Sequence, residues 1–309
     1  MNNNDKLEDI NLYEIINVFL KRKFLIITLT FISALSAVFY SLNQQDIYQS
    51  SAILVANNSS SSKSNNLSGL SSMANLAGIN LQSSSGVGKE DLATEMIKSR
   101  GFFNHIAKLE SVYANLTSVD SYDPISKKII YDEKIYNPTT NQWKLDENGN
   151  SLKPNLYKAY ENYLFNVKII HDKKSGFLYL SFQHPSPVFA RNFTSLIITE
   201  LNLLMKNKDL AQSTKAIEYL YDQLINDSYI AINKSISSMI ESNMYTKMMA
   251  SIESEYFVSL VDKPYEPEFK VAPIRWLICI IGTLSGFIFS LFLSLILNYY
   301  PILSKNLRV

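Results

Sequence analysis

Two long runs without a single charge constrain this chain more than anything else in it. Phe24–Leu42 (FLIITLTFISALSAVFYSL) spans nineteen residues and Trp276–Leu297 (WLICIIGTLSGFIFSLFLSLIL) spans twenty-two. A helix needs about 20 apolar residues to cross the hydrocarbon core, where every backbone polar group must be satisfied within the segment itself. A cleaved signal peptide fits the first run poorly, because the 23-residue head before it is long and carries four acids. Two spanning helices are therefore expected, at 24–42 and 276–298.

The flanking charges orient them. Lys21, Arg22 and Lys23 abut the first run, and Lys305 and Arg308 follow the second. Two spans place both ends on one side, and the excess of basic residues marks that side as the cytoplasm. Trp276 at one end of the second run, with Tyr299 and Tyr300 at the other, suits the two membrane interfaces. The expected order is a cytoplasmic N-terminal segment (1–23), span one (24–42), an outer domain (43–275), span two (276–298) and a cytoplasmic tail (299–309). In the head, Leu12, Ile15, Ile16, Phe19 and Leu20 recur at helical spacing. They predict either a helix lying on the membrane surface or the start of a long membrane helix.

Charge and cysteine usage exclude whole classes. Lys and Arg number 29 against 28 Asp and Glu, a net charge of +1, which excludes a nucleic-acid binder driven by phosphate neutralisation. Cys279 is the single cysteine, so the chain forms no internal disulfide and no cysteine-based zinc cluster.

The outer region reads as one α+β domain with a helical insertion. Ile47–Val55 predicts a strand leaving the membrane. Asn57–Ser72 follows, with Ser or Asn at twelve of sixteen positions, a solvated loop that buries too little apolar area to offset ordering. Helices are expected over Glu90–Lys98 and Phe102–Leu109, and residues 110–155 read as irregular, with turns at Asp123-Pro124, Asn137-Pro138 and Asn148-Gly149. A short helix at Leu156–Leu164 precedes two strands, Phe165–His171 and Phe177–Gln183. The polar link Asp172–Gly176 between them predicts a hairpin.

No Gly or Pro occurs from Val188 to Lys263, and apolar residues there keep the helical period at Phe189, Phe193, Leu196, Leu203 and Leu204, then Ile217, Leu220 and Leu224, then Ile232, Ile236, Met239 and Ile240. An unbroken helix over that stretch would exceed about 100 Å at about 1.5 Å per residue, so a break is expected near Lys206–Asp209. Glu255–Val261 predicts a returning strand. Pairing it with the departing one would set the sheet at the base, near the bilayer, with the helices projecting outward.

Candidate sites are few. His105, His171 and His184 are scattered and lack motif partners, which marks them as packed or surface residues. No G-x-S-x-G elbow and no G-x-x-x-x-G-K-[ST] phosphate loop occurs. The expectation is no catalytic, cofactor-binding or metal site. Gly282 and Gly286 form a G-x-x-x-G in span two, a candidate face for helix packing and self-association. Pro264, Pro267 and Pro273 lie before span two and keep that linker extended. The short head and tail are too small to fold alone, so no kinase of the chain's own is expected.

The order of these features resembles the Wzz-type chain-length determinants, or polysaccharide co-polymerases, of bacterial surface-polysaccharide assembly. The N-terminal likeness lies in Leu7-Glu8-Asp9-Ile10, Leu12-Tyr13-Glu14-Ile15, Lys21-Arg22-Lys23, span one and Tyr48-Gln49-Ser50-Ser51-Ala52. In the middle it lies in Leu76-Ala77-Gly78-Ile79, Lys98-Ser99-Arg100 and Gly176 through His184-Pro185-Ser186-Pro187. It continues in Ile240-Glu241, Met248-Met249-Ala250, Glu255-Tyr256, Val261-Asp262-Lys263-Pro264, Pro267, Pro273 and span two.

The resemblance implies an inner-membrane protein with a periplasmic α/β base and a long projecting helix. It also implies a homo-oligomer that regulates the chain length of O-antigen or a capsule-like glycan without catalysis. Its implied partners are a Wzy-type polymerase, the growing lipid-linked polysaccharide and membrane lipids, with no cofactor and no nucleic acid. The alternatives are an export component working with a separate kinase and an outer-membrane channel, and a periplasmic ligand-sensing ectodomain.

Overall fold

The first uncharged run folds as helix α1 (Lys23–Asn43), and extended backbone at Gln44 ends it. The computed structural model describes residues 18–57, 88–109, 111–226 and 230–306. The Leu7–Ile15 motif, most of the Ser/Asn-rich stretch and Leu76–Ile79 lie outside the described residues. The chain divides into two units, Met1–Asp46 with Val271–Val309, and Ile47–Lys270.

In the first unit α1 packs against the last helix, α8 (Arg275–Asn306). Only 17% of the most apolar window of each helix is buried, whereas a core helix of a soluble domain would be mostly covered. Both helices are long and apolar enough to cross a membrane.

The second unit is built on an antiparallel sheet whose main path runs β6 (Val167–His171), β7 (Phe177–His184), β1 (Ile47–Ala56) and β8 (Val258–Asp262). Burial alternates along the strands, as a one-sided sheet requires. Ser50, Ala52, Leu54 and Ala56 of β1 lie beside Leu178, Leu180, Phe182 and His184 of β7 on the covered face. The register sets Leu54 opposite Leu178 and Ala52 opposite Leu180. The departing and returning strands pair as expected, Val55 facing Ser259, although β8 begins at Val258 instead of Glu255.

The predicted hairpin forms. Gly176 takes φ +75°, which a side chain would resist, and its amide donates to the Asp172 carbonyl at 2.8 Å. The Asp172 carboxylate accepts from Lys174 N and Ser175 Oγ, and these bonds hold it below the usual carboxylate range.

Helices cover the inner face of the sheet. They are α2 (Lys89–Lys98), α3 (Arg100–Ile106), α5 (Leu156–Asn166) and the long α6 (Pro187–Asn226). Capping explains their starts: Ser99 Oγ accepts from Phe102 N at 3.1 Å and Asn155 Oδ1 from Lys158 N at 2.8 Å. Proline at the first position of α6 costs nothing, because that N–H has no helical partner. Ile97, Phe103, Tyr163, Phe193, Ile197 and Leu201 fill the core against β1 and β7.

Two expectations need correction. Residues 111–143 are not irregular: they hold α4 (Val112–Thr117), a hairpin of β2 (Val119–Asp123) and β3 (Lys128–Tyr131), and another of β4 (Tyr136–Asn137) and β5 (Gln142–Trp143), whereas 144–155 stays irregular as expected and the predicted turns fall where expected. Strands this short show no readable alternation, and aromatic rings packed at a tilt hold them (Tyr131–Tyr136 centroids 5.2 Å apart, Tyr136–Trp143 5.0 Å). The helix also runs unbroken through Lys206–Asp209, and the next helix, α7, spans Ile230–Ile252. The polar residues at 206–209 mark a helix face, because Tyr256 Oη donates to Asp209 Oδ2 at 2.8 Å.

Candidate functional site

A seam of small side chains joins α1 and α8. Gly282 faces Ala37 and Gly286 faces Ser33 so closely that a Cβ added to either glycine would collide with its partner. Ser33 Oγ donates to the Gly282 carbonyl at 2.8 Å. The four-residue spacing continues on both helices, through Ser41 on α1 and Ser290 and Ser294 on α8, all three buried. Removing side chains from the seam lets the backbones approach, so that dispersion and hydrogen bonds hold the pair. Polar ties close it at both ends, with Arg275 paired to Asp46 at 2.9 Å and Arg22 Nη2 donating to the Leu297 carbonyl at 3.0 Å.

The sequence reading singled out only Gly282 and Gly286. The signal it passed over was the same spacing in Ser33-Ala37-Ser41 and its extension to Ser294. Of the linker prolines, Pro267 is buried, Pro264 and Pro273 are half-buried, and the Ala272–Pro273 bond is cis.

A long helical hairpin stands on the sheet unit. Leu220 and Leu224 of α6 pack on Ile236 and Ile240 of α7. Its root is held by Asn202, whose Oδ1 accepts from Phe257 N at 2.7 Å and Val258 N at 3.0 Å while Nδ2 donates to Val258 O at 3.0 Å. Asn57 adds bonds to the Glu255 carbonyl and Ser259 Oγ. Burial, reinforced by the Asp209 carboxylate, pushes the Tyr256 phenol well above its usual range, so it stays a donor. Ile225, Met239, Met244, Met248 and Ile252 remain exposed along the hairpin.

The three histidines are structural ties. His105 Nε2 meets Glu200 Oε2 at 2.7 Å, joining α3 to α6, and His171 Nδ1 meets Asp91 Oδ1 at 2.9 Å, joining β6 to α2. His184 is 5% exposed. Its Nδ1 accepts from Ser186 N and its Nε2 lies 3.0 Å from the Asn115 carbonyl, which only the neutral ring can satisfy. Burial pushes its pKa down to about 4. Among the described residues, no group of three or more His, Cys, Asp or Glu side chains is placed to hold a metal ion.

Residues 8–108, which hold α1, β1, α2 and α3, match the Wzz family, described as chain length determinant protein. The chain resembles the Wzz chain length determinants. No curated relative matches it. A solved structure described as a full-length bacterial polysaccharide co-polymerase aligns over 94% of this chain and 98% of its own, at 12% identity and a TM-score of 0.40. The Wzz match covers the helix α1, long and apolar enough to cross a membrane, the central strand of the sheet and two of the helices packed on it.

Proposed function

We propose that this protein is a non-enzymatic, self-associating regulator of surface-polysaccharide chain length in the bacterial inner membrane. The Wzz match over residues 8–108 carries the reading. Both termini lie in the cytoplasm and Ile47–Lys270 in the periplasm, in line with the basic flanks of the two spans. The protein works with a Wzy-type polymerase on a lipid-linked O-antigen or capsule-like glycan. Its contribution is geometric: copies gather in the membrane and present their helical hairpins to the polymerase or the growing chain. The exposed Met and Ile side chains along the hairpin support a role in contacts, since apolar surface left in water favours a partner.

Deleting the gene tests this reading. The surface glycan should lose its preferred length on a gel and regain it when the gene is restored; an unchanged ladder contradicts the proposal. Reporter fusions within Ile47–Lys270 should be active in the periplasm, and cytoplasmic activity there contradicts the topology.

A further inference from the structure

The small-hairpin segment after α3 borders an open hollow of about 490 Å³, lined by Ser111, Tyr113, Ala114, Tyr136, Asn141 and Trp143. Its size falls in the range of small-ligand sites, about 300–1,000 Å³. Three aromatic rings form a fixed frame. Trp143 stands edge-on to Tyr113 (centroids 5.9 Å, 88°) and tilted to Tyr136 (5.0 Å, 55°). Both phenols are already committed, Tyr113 Oη donating to the Pro154 carbonyl at 2.5 Å and Tyr136 Oη to Asn141 Oδ1 at 3.1 Å. Lys153 Nζ lies 4.4 Å from the Tyr113 ring centroid.

What remains unspent is neutral and polar. Trp143 Nε1, Asn141 Nδ2 and Ser111 Oγ make no hydrogen bond to another described residue. The backbone is also unusual here. Ser111 and Asn141 take φ of +65° and +54°, two of the three non-glycine residues with positive φ among the described residues. Strained backbone of this kind concentrates where side chains are held for binding.

We propose that this hollow binds a neutral saccharide. The C–H-rich face of a sugar ring complements the electron-rich face of an aromatic ring, and sugar hydroxyls match an indole N–H, an amide and a hydroxyl. Among the described residues, the side chains that line the hollow are all uncharged, and Lys153 stands over the Tyr113 ring. Trp143 is the stacking platform, and Asn141 and Ser111 read the hydroxyls. The inference rests on the chain-length reading for the source of the sugar, the protein's own glycan.

The test uses the full chain in lipid nanodiscs. The protein has two tryptophans, so Trp276→Phe leaves Trp143 as the sole tryptophan, read by excitation at the red edge where the tyrosines do not absorb. The probe is oligosaccharide released by mild acid from the surface glycan of the producing cell. A saturable change in Trp143 emission is expected, with a matching heat of binding. Asn141→Gly accepts the left-handed backbone and removes the amide, and it should weaken half-saturation by about tenfold. Trp143→Phe keeps a ring and should retain binding better than Trp143→Ala. Emission and heat unchanged up to millimolar sugar would overturn the site.

The two proposals fail separately. An altered glycan ladder in the deletion strain with no sugar response removes the site and keeps the chain-length reading. A sugar response beside an unchanged ladder does the reverse.

Discussion

Asn202 shows how much one side chain can carry. Its carboxamide ties α6 to the backbone of Phe257 and Val258 through three hydrogen bonds, in a site 5% exposed. Alanine there would leave buried amides without an acceptor, each costing about 1–3 kcal/mol. Asn202→Ala should therefore lower stability by about 2–4 kcal/mol in thermal unfolding of the purified protein. His184 supplies a pH signature. Its folded pKa lies near 4 against an ordinary 6.5, so between those values the unfolded chain binds the extra proton. The histidine leaves stability intact above about pH 6.5 and erodes it as pH falls toward 4, by at most about 1.4 kcal/mol per unit. Replacing it, as in His184→Gln, should flatten the slope of melting temperature between pH 7 and 5 relative to wild type. Neither role was legible in the sequence, because a scattered histidine or asparagine acquires partners only when distant segments meet.

The elements that could be read beforehand were those whose signal is local. The helices α1 and α8 lack charge over a membrane's width, and the β6–β7 hairpin carries a polar link ending in the one residue type suited to positive φ. Other elements escaped for physical reasons. The α4 helix and the two small hairpins are too short to show a period. Along α6 the run Leu196-Ile197-Ile198 through Leu201, Leu203, Leu204 and Met205 is apolar on nearly every side, so the period could not pick the inner face. Phe193, Ile197, Leu201 and Met205 are buried, whereas Leu203 is 43% exposed. In the helix pair, the glycines of α8 stand out because Gly is rare in these apolar runs, whereas Ser33, Ala37 and Ser41 of α1 do not differ from their neighbours in any local signal. Gly286→Val would drive a methyl group into Ser33, an overpacking cost of about 1–3 kcal/mol. It should lower the resistance of the solubilised protein to SDS unfolding. Phe289→Val, at a side chain 62% exposed, should leave it unchanged.

At the scale of the molecule, the chain comprises a helix pair long and apolar enough to cross a membrane and a larger unit in which a one-sided antiparallel sheet supports a long helical hairpin. Nothing in this arrangement needs a chemical step to influence a polymer. A regulator that works by position acts through how many copies assemble and what their projections meet, so its effect should appear in the length distribution of the product. The most direct measurement is that distribution, obtained by mass spectrometry of surface glycan from a null strain carrying either an empty vector or the wild-type gene at matched polymerase levels. The wild-type protein should gather the chains around one preferred length, and its absence should leave a broad spread weighted to short chains. Superimposable distributions in the two strains would contradict the account.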